Sequence, residues 1–212
     1  MKRDNNFYII ARAFLFVFLK FFCFFKVTGR ENIPKTGGCI IASNHLSYLD
    51  PVVLSVASPR ILSFMAKDDL FQRWRLFNML ITALNAFPVK RGRGDLKAIR
   101  LAIDMLKSGK TLIIFPEGSR SSTGRLKSGE SGIGMLSAKA DVCVVPALIE
   151  GTDQGMPVGT REIFLFKPFQ VHFGKPLRYK ELNLNPRKKS DYQLFADKVI
   201  AAVKSIKNKN SL

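Results

Sequence analysis

Histidine is scarce in this chain: only His45 and His172 occur among 212 residues. Chemistry that needs a side chain exchanging a proton near neutral pH therefore has two places to sit. Cysteine is equally thin. Cys23, Cys39 and Cys143 make an odd number, with no C-x-x-C pair and no Cys/His ligand spacing. That argues against a disulfide framework and a zinc site, and suits a reducing compartment. Buried thiols acting as small apolar residues are the expected state. Acidic residues are few, 16 against 34 basic ones, leaving a net charge of +18. Such an excess implies an anionic partner: nucleic acid, an anionic membrane surface, or phosphorylated substrates with an acidic carrier. No zinc-finger spacing or RNP aromatic motif is present, and the basic residues are spread along the chain, so nucleic acid is set aside. No linker and no internal repeat divides the sequence, so one domain with a full core is expected.

What is present starts with Ser43-Asn44-His45-Leu46-Ser47-Tyr48-Leu49-Asp50-Pro51, directly after the apolar run 39–42. An aspartate that fixes an imidazole ring and supports its positive charge makes it a better base. On one continuous helix His45 and Asp50 would point about 140° apart. A turn between a strand and a helix would bring them together. Asp50-Pro51 supports that turn, because Pro is favoured at the first helical position and Asp just before it. The same fact carries a plainer alternative, in which Asp50 only caps a helix and His45 is a polar residue at a strand end. A second segment, Thr111-Leu112-Ile113-Ile114-Phe115, reads as a buried strand running into Pro116-Glu117-Gly118-Ser119-Arg120. Loops at strand exits carry function in open α/β sheets. Glu117 can position a hydroxyl or a cation, Arg120 can fork onto a phosphate, and Gly118 can let a backbone N–H approach a ligand. In isolation the segment would read as a polar turn with a surface ion pair. His172 alternates with Gln170 on an expected edge strand and reads as structural.

The N-terminus holds a third feature. Phe7 to Phe25 is a 19-residue apolar stretch with eight phenylalanines, interrupted by Arg12 and Lys20. Its apolar residues favour membrane insertion by roughly 4–8 kcal/mol, and two central cations would cost up to about 6 kcal/mol, so the sum does not decide. On a helix Arg12, Lys20 and Lys26 fall within an arc of about 120°, a basic stripe that favours a helix lying in the membrane plane. Snorkelling would still allow a span. No small-x-small site follows the run, which argues against a cleaved signal peptide.

A coarse pass predicts strands at 25–30, 39–43, 61–66, 87–90, 111–115, 142–149 and 169–173. Helices are predicted at 51–57, 69–83, 95–107, 130–140 and 190–207, with Gly109 closing the third of them. Short apolar strands alternating with helices indicate an α/β sandwich around a largely buried, mixed sheet. The expected division is an N-terminal membrane-anchoring helix over 1–26 and a single α/β domain over 27–212.

Together these segments resemble the glycerolipid acyltransferase family that includes 1-acylglycerol-3-phosphate O-acyltransferases. The family's first motif, Asn-His followed by four residues and Asp, is matched by Asn44, His45 and Asp50. Its third, Phe-Pro-Glu-Gly-Thr/Ser-Arg-Ser, is matched by Phe115 through Ser121. Its second, an arginine after a short strand, is matched by Phe87-Pro88-Val89-Lys90-Arg91-Gly92. A weaker fourth, an apolar strand with an internal proline, is matched by Val144-Val145-Pro146-Ala147. The four occur in family order between about Val27 and Leu177. The resemblance implies the family's mixed-sheet fold. It also implies transfer of a fatty acyl group from a thioester, acyl-CoA or acyl-carrier-protein, to the free hydroxyl of lysophosphatidate at a membrane lipid surface on the cytoplasmic face. His45 would be the base and Asp50 its orienting anion, with neither a metal nor a resident cofactor. Lys67, Arg91 and Arg120 would face the acceptor's phosphate, Glu117 would order that site, and the Gly118 N–H would be the oxyanion donor. Ser47 would cap the local turn. Two other readings stay open: acylation of another lysolipid, such as lysophosphatidylglycerol or lyso-ornithine lipid, and a basic membrane-associated binding protein with a decayed site.

Overall fold

The structure, a computed structural model, describes residues 5–67, 78–79, 81–82, 84–89, 96–121, 124, 126–160 and 162–210. Eight strands form one sheet: β1 (Lys26–Thr28), β2 (Cys39–Ser43), β3 (Leu62–Lys67), β4 (Ala86–Val89), β5 (Thr111–Ile114), β6 (Cys143–Glu150), β7 (Gln170–Phe173) and β8 (Leu177–Arg178). Their order is β1-β7-β6-β2-β5-β3-β4, with β8 also pairing to β6. From β6 to β4 every pairing is parallel, and β7 runs antiparallel to β6, so the sheet is mixed as expected. Parallel neighbours need crossovers, and helices cover both faces for that reason.

The helices are α1 (Asn5–Phe22), α2 (Asp50–Ala57), α3 (Leu96–Lys107), α4 (Gly132–Ala140), the single turn α5 (Thr152–Gly155) and α6 (Lys189–Asn210). Side chains alternate across the sheet with period two. Cys39 and Ile41 of β2 join Val145, Val53, Leu54 and Leu19 under α1 and α2. Ile40 and Ala42 join Leu112, Ala102, Leu136, Phe195 and Val199 under α3, α4 and α6. All five residues of β2 are buried, which is why its sequence reads as a continuous apolar run. The three cysteines are free and buried.

The expected strands and helices recur within a few residues at each end, and β8 and α5, too short for a pattern, are additional. The predicted helix over 69–83 lies largely outside the described residues. Two expectations change. β7 is an inner strand, held by β1 on one side and β6 on the other, so His172 is not on an edge. The basic stripe on the first helix does not form. Arg12 turns toward the domain and its guanidinium donates to the Ser58 carbonyl at 3.1 Å, while Lys26 has left the helix for β1. The expected boundary after residue 26 falls inside β1, and Tyr8 and Leu19 of α1, with Cys23 just past it, are buried in the same core as α2 and the sheet. The Leu62 N–H donates to the Tyr8 hydroxyl at 3.1 Å, tying the start of α1 to β3.

Candidate active site

The carboxyl ends of β6, β2, β5 and β3 lie side by side, and the loops leaving them meet there. In open α/β sheets such strand ends frame the ligand crevice. His45 stands two residues past β2 and Asp50 opens α2. The turn between them brings the two together: Nδ1 of His45 lies 2.7 Å from Oδ2 of Asp50. The same oxygen accepts the backbone N–H groups of Leu46 at 2.6 Å and Ser47 at 2.8 Å. The other, Oδ1, accepts the Thr152 hydroxyl at 2.5 Å, delivered from α5 after β6. Asp50 is fully buried, so these four donors replace the water it has lost. The carboxylate reaches back into the loop. The helix that follows has no side-chain cap, so the helix-cap alternative does not describe Asp50.

A carboxylate oxygen crowded by donors can only accept, so Nδ1 carries the ring proton and the lone pair resides on Nε2. The ring is fixed in a second direction by stacking on Phe115, centroids 3.9 Å apart and planes 15° from parallel. The loop itself is pinned. Asn44 holds Ile149 of β6 by its amide, accepting from the N–H at 2.8 Å and donating to the carbonyl at 2.9 Å. The Ser47 hydroxyl donates to the Met156 carbonyl at 2.8 Å and accepts the Leu49 N–H at 3.2 Å, the turn-capping role expected of it.

Glu117 is buried and works as a clamp between loops. Oε1 accepts the backbone N–H of His45 at 3.3 Å, and Oε2 accepts that of Lys127 at 3.1 Å. The Ser121 N–H closes the junction on the His45 carbonyl at 2.8 Å. Gly118 requires a correction. Its N–H closes a tight turn on the Phe115 carbonyl at 3.1 Å, so it is spent within the loop rather than presented as an oxyanion donor. The glycine is needed for another reason: its φ is +65°, and a Cβ there would lie 2.4 Å from the Glu130 carboxylate.

Arg120 lies over the loop that carries His45, its guanidinium carbon 3.6 Å from the centroid of the Tyr48 ring. Its Nη1 is buried and has no hydrogen-bond partner among the described residues. Nearby, the Lys127 ammonium donates to the Ser119 hydroxyl at 3.2 Å. Lys67 closes β3 opposite Val89. Arg91 and its neighbours 90–93 lie outside the described residues. Sequence reasoning missed Thr152, the Phe115 stack and Lys127. Thr152 sits just past the apolar strand with the internal proline, and only the adjacency of β6 to β2 reveals what it touches.

The arrangement is an imidazole held at Nδ1 by a buried carboxylate, with Nε2 on the other side of the ring. The chain belongs to the acyltransferase family, whose model matches residues 24–150. It is 32% identical over 166 residues to the 1-acyl-sn-glycerol-3-phosphate acyltransferase of Bacillus subtilis, a match covering 77% of this chain and 78% of that one. It is 30% identical over 170 residues to a chloroplastic 1-acyl-sn-glycerol-3-phosphate acyltransferase of Arabidopsis thaliana, covering 78% of this chain and 47% of the other. The chain thus spans about half the length of the chloroplastic relatives it matches. The crystal structure of the 1-acyl-sn-glycerophosphate acyltransferase from Thermotoga maritima superposes with a TM-score of 0.71 at 26% identity, covering 98% of this chain and 79% of that one.

Proposed function

We propose that this protein transfers a fatty acyl group from an acyl thioester to the free hydroxyl of 1-acylglycerol 3-phosphate, giving phosphatidate. The observation that carries the reading is the His45–Asp50 pair, with Nδ1 held by the carboxylate and Nε2 left as the base. Nε2 takes the proton of the acceptor hydroxyl as its oxygen attacks the thioester carbonyl, and Asp50 supports the imidazolium that forms. The tetrahedral intermediate collapses by breaking the C–S bond, and the imidazolium returns the proton to the departing thiolate. No protein acyl ester is needed, because the substrate hydroxyl takes the place of a serine. No cofactor enters beyond the acyl donor, acyl-CoA or acyl carrier protein, each of which is anionic and suits a chain of net charge +18.

The acceptor's phosphate carries roughly −1.5 to −2 charges near pH 7. A buried guanidinium N–H without a partner is costly, and an anion relieves the cost. Arg120 is therefore assigned to the phosphate, with Lys67 and Arg91 as further cations of the same site. Glu117 serves it indirectly, by holding the two loops in register. We place the protein on a membrane surface at its cytoplasmic face, with α1 lying in the membrane plane. Tyr8 near one end and Leu19 near the other are both packed on the domain, so the helix runs along the protein rather than away from it.

The test is purified protein with lysophosphatidate and each donor, product identified by mass. Lysophosphatidylglycerol and lyso-ornithine lipid serve as acceptors without a phosphomonoester. Charged hydrogen bonds are worth about 1.5–3 kcal/mol, so Arg120→Ala should cost at least about tenfold in kcat/KM for lysophosphatidate, and Arg120→Lys should restore only part. Equal loss with all acceptors would remove the phosphate from Arg120. Faster turnover of a phosphodiester or ornithine acceptor by the unmodified protein would replace lysophosphatidate as the substrate.

A further inference from the structure

The face of α1 turned away from the domain is a stripe of large apolar side chains. Phe7, Ile10, Phe14, Val17 and Phe21 are 54–72% exposed and lie within an arc of about 80° on the helix. The stripe does not stop where the helix stops. The N–H of Phe166 donates to the Phe22 carbonyl at 2.7 Å, the N–H of Phe169 donates to the Cys23 carbonyl at 2.9 Å, and the Phe22 and Phe166 rings lie 6.1 Å apart. These bonds hang the loop between α5 and β7 beside the end of α1. The loop carries four consecutive exposed apolar residues, Ile163, Phe164, Leu165 and Phe166, 37–64% exposed, and Phe24 beside them is 55% exposed. Four large apolar residues in a row on a loop are unusual where water is the only neighbour.

We infer that the loop Ile163–Phe166 is a second membrane-inserting element, which docks with the outer face of α1 into an anionic lipid leaflet. The inference rests on the in-plane role of α1 proposed above and extends that surface to a segment remote in sequence. Charge complementarity selects the occupant. Lys20, Lys26 and Lys167 are exposed within two residues in sequence of Phe21, Phe24 and Phe166, and among the described residues the one acidic residue that close in sequence to the patch is Glu162. Basic side chains bordering a buried apolar strip suit phosphate headgroups above an acyl layer. The loop also adjoins the site. The N–H of Phe164 donates to the Gly155 carbonyl at 2.8 Å, in the same turn of helix that sends Thr152 to Asp50. The docked loop therefore sets the crevice at the level where a lysolipid leaves the leaflet.

An environment-sensitive fluorophore reports the docking. The native thiols are buried, so single-label variants Ile163→Cys, Phe14→Cys and Lys198→Cys are made in the full chain, the last on the opposite face of the molecule. Vesicles of phosphatidylcholine with phosphatidylglycerol should blue-shift the labels at 163 and 14 and leave the label at 198 unchanged. The double variant Ile163→Ser/Phe164→Ser should partition at least about tenfold more weakly onto these vesicles. A shift at 14 without one at 163 overturns the loop's role and leaves the helical anchor standing. No shift at either overturns both. A shift at 163 that follows protein concentration in the absence of vesicles assigns the patch to a second copy of the chain and overturns the lipid docking.

Discussion

His45 lies two residues past the end of β2, and His172 lies inside β7, two strands away in the sheet. Each offers Nδ1 to an oxygen, at 2.7 Å from Asp50 in one case and 2.8 Å from the Thr28 hydroxyl in the other. Each has a carboxylate in reach, yet Glu150 is 3.7 Å from Nε2 of His172, too far for a hydrogen bond and on the nitrogen a base would need. The difference follows from the backbone. Past a strand end the chain is free to turn its N–H groups inward, and Leu46 and Ser47 do so, gathering with His45 on one carboxylate. Inside a strand the N–H groups are committed to the ladder, and no such nest can form around His172. Under the proposed reaction, what equips His45 as the base is what the loop donates to its partner, and proximity to an acid is insufficient.

The sharpest way to break the comparison is to exchange the two sites' importance. His45→Ala should lower turnover by about 10²–10⁴-fold, the range of a general base, while His172→Gln stays within about twofold. Thiol release from the acyl donor measures both. Turnover of His45→Ala within tenfold of wild type would show that the β2 exit is not where the proton goes. Asp50→Asn is next. An amide in place of the carboxylate brings an N–H toward donors that need an acceptor, and the ring loses the anion that selects its tautomer. A loss of roughly 10²-fold or more in kcat is expected. A lowered melting temperature with turnover retained would return Asp50 to a purely structural role.

Thr152→Val is a finer probe, since it removes one hydroxyl and keeps the shape. A hydrogen bond to a charged group contributes about 1.5–3 kcal/mol, shared between stability and the poise of Asp50. We expect kcat to fall about tenfold with KM for lysophosphatidate nearly unchanged, and Thr152→Ser to recover most of it. A matching fall in thermal stability with kcat intact would mean that the hydroxyl only supports the fold.

Thr152 also marks where reading the sequence ran out. The His45–Asp50 pair was legible because both residues sit in one nine-residue segment, between an apolar run and a helix-starting proline. The strands under the site were legible because they are buried on both faces and read as short apolar blocks. Thr152 lies 102 residues from Asp50 and meets it only because β6 is the neighbour of β2, a pairing no local pattern encodes. Gly118 was misjudged for a related reason. Its position at a strand exit was correct, but which carbonyl takes its N–H depends on how the turn closes on Phe115. The helix at the N-terminus shows a third kind of limit. Its apolar faces were evident, but whether Arg12 faced lipid or protein depended on the Ser58 carbonyl waiting across the interface.

The smallest effect concerns His172 itself. Burial holds its pKa below the ordinary value near 6.5, with the Glu150 charge opposing in part. Neutral, the ring can accept the Thr28 hydroxyl on Nδ1 and point its Nε2–H toward Glu150. Protonation puts a second N–H on Nδ1, facing the oxygen it had been accepting from. In the unfolded chain the ring takes up its proton at the ordinary value, so between that pH and the lower folded value the unfolded state binds more protons. Stability contributed by the neutral ring is therefore present above about pH 6.5 and lost as the pH falls from there toward the folded pKa. A single such group changes stability by at most about 1.4 kcal/mol per pH unit. His172→Gln, which cannot ionise, should flatten the acid limb of the denaturation midpoint between pH 7.5 and 5 while leaving the pH profile of turnover in place. A turnover profile that moved with His172→Gln would give the second histidine a part in the chemistry and undo the contrast between the two settings.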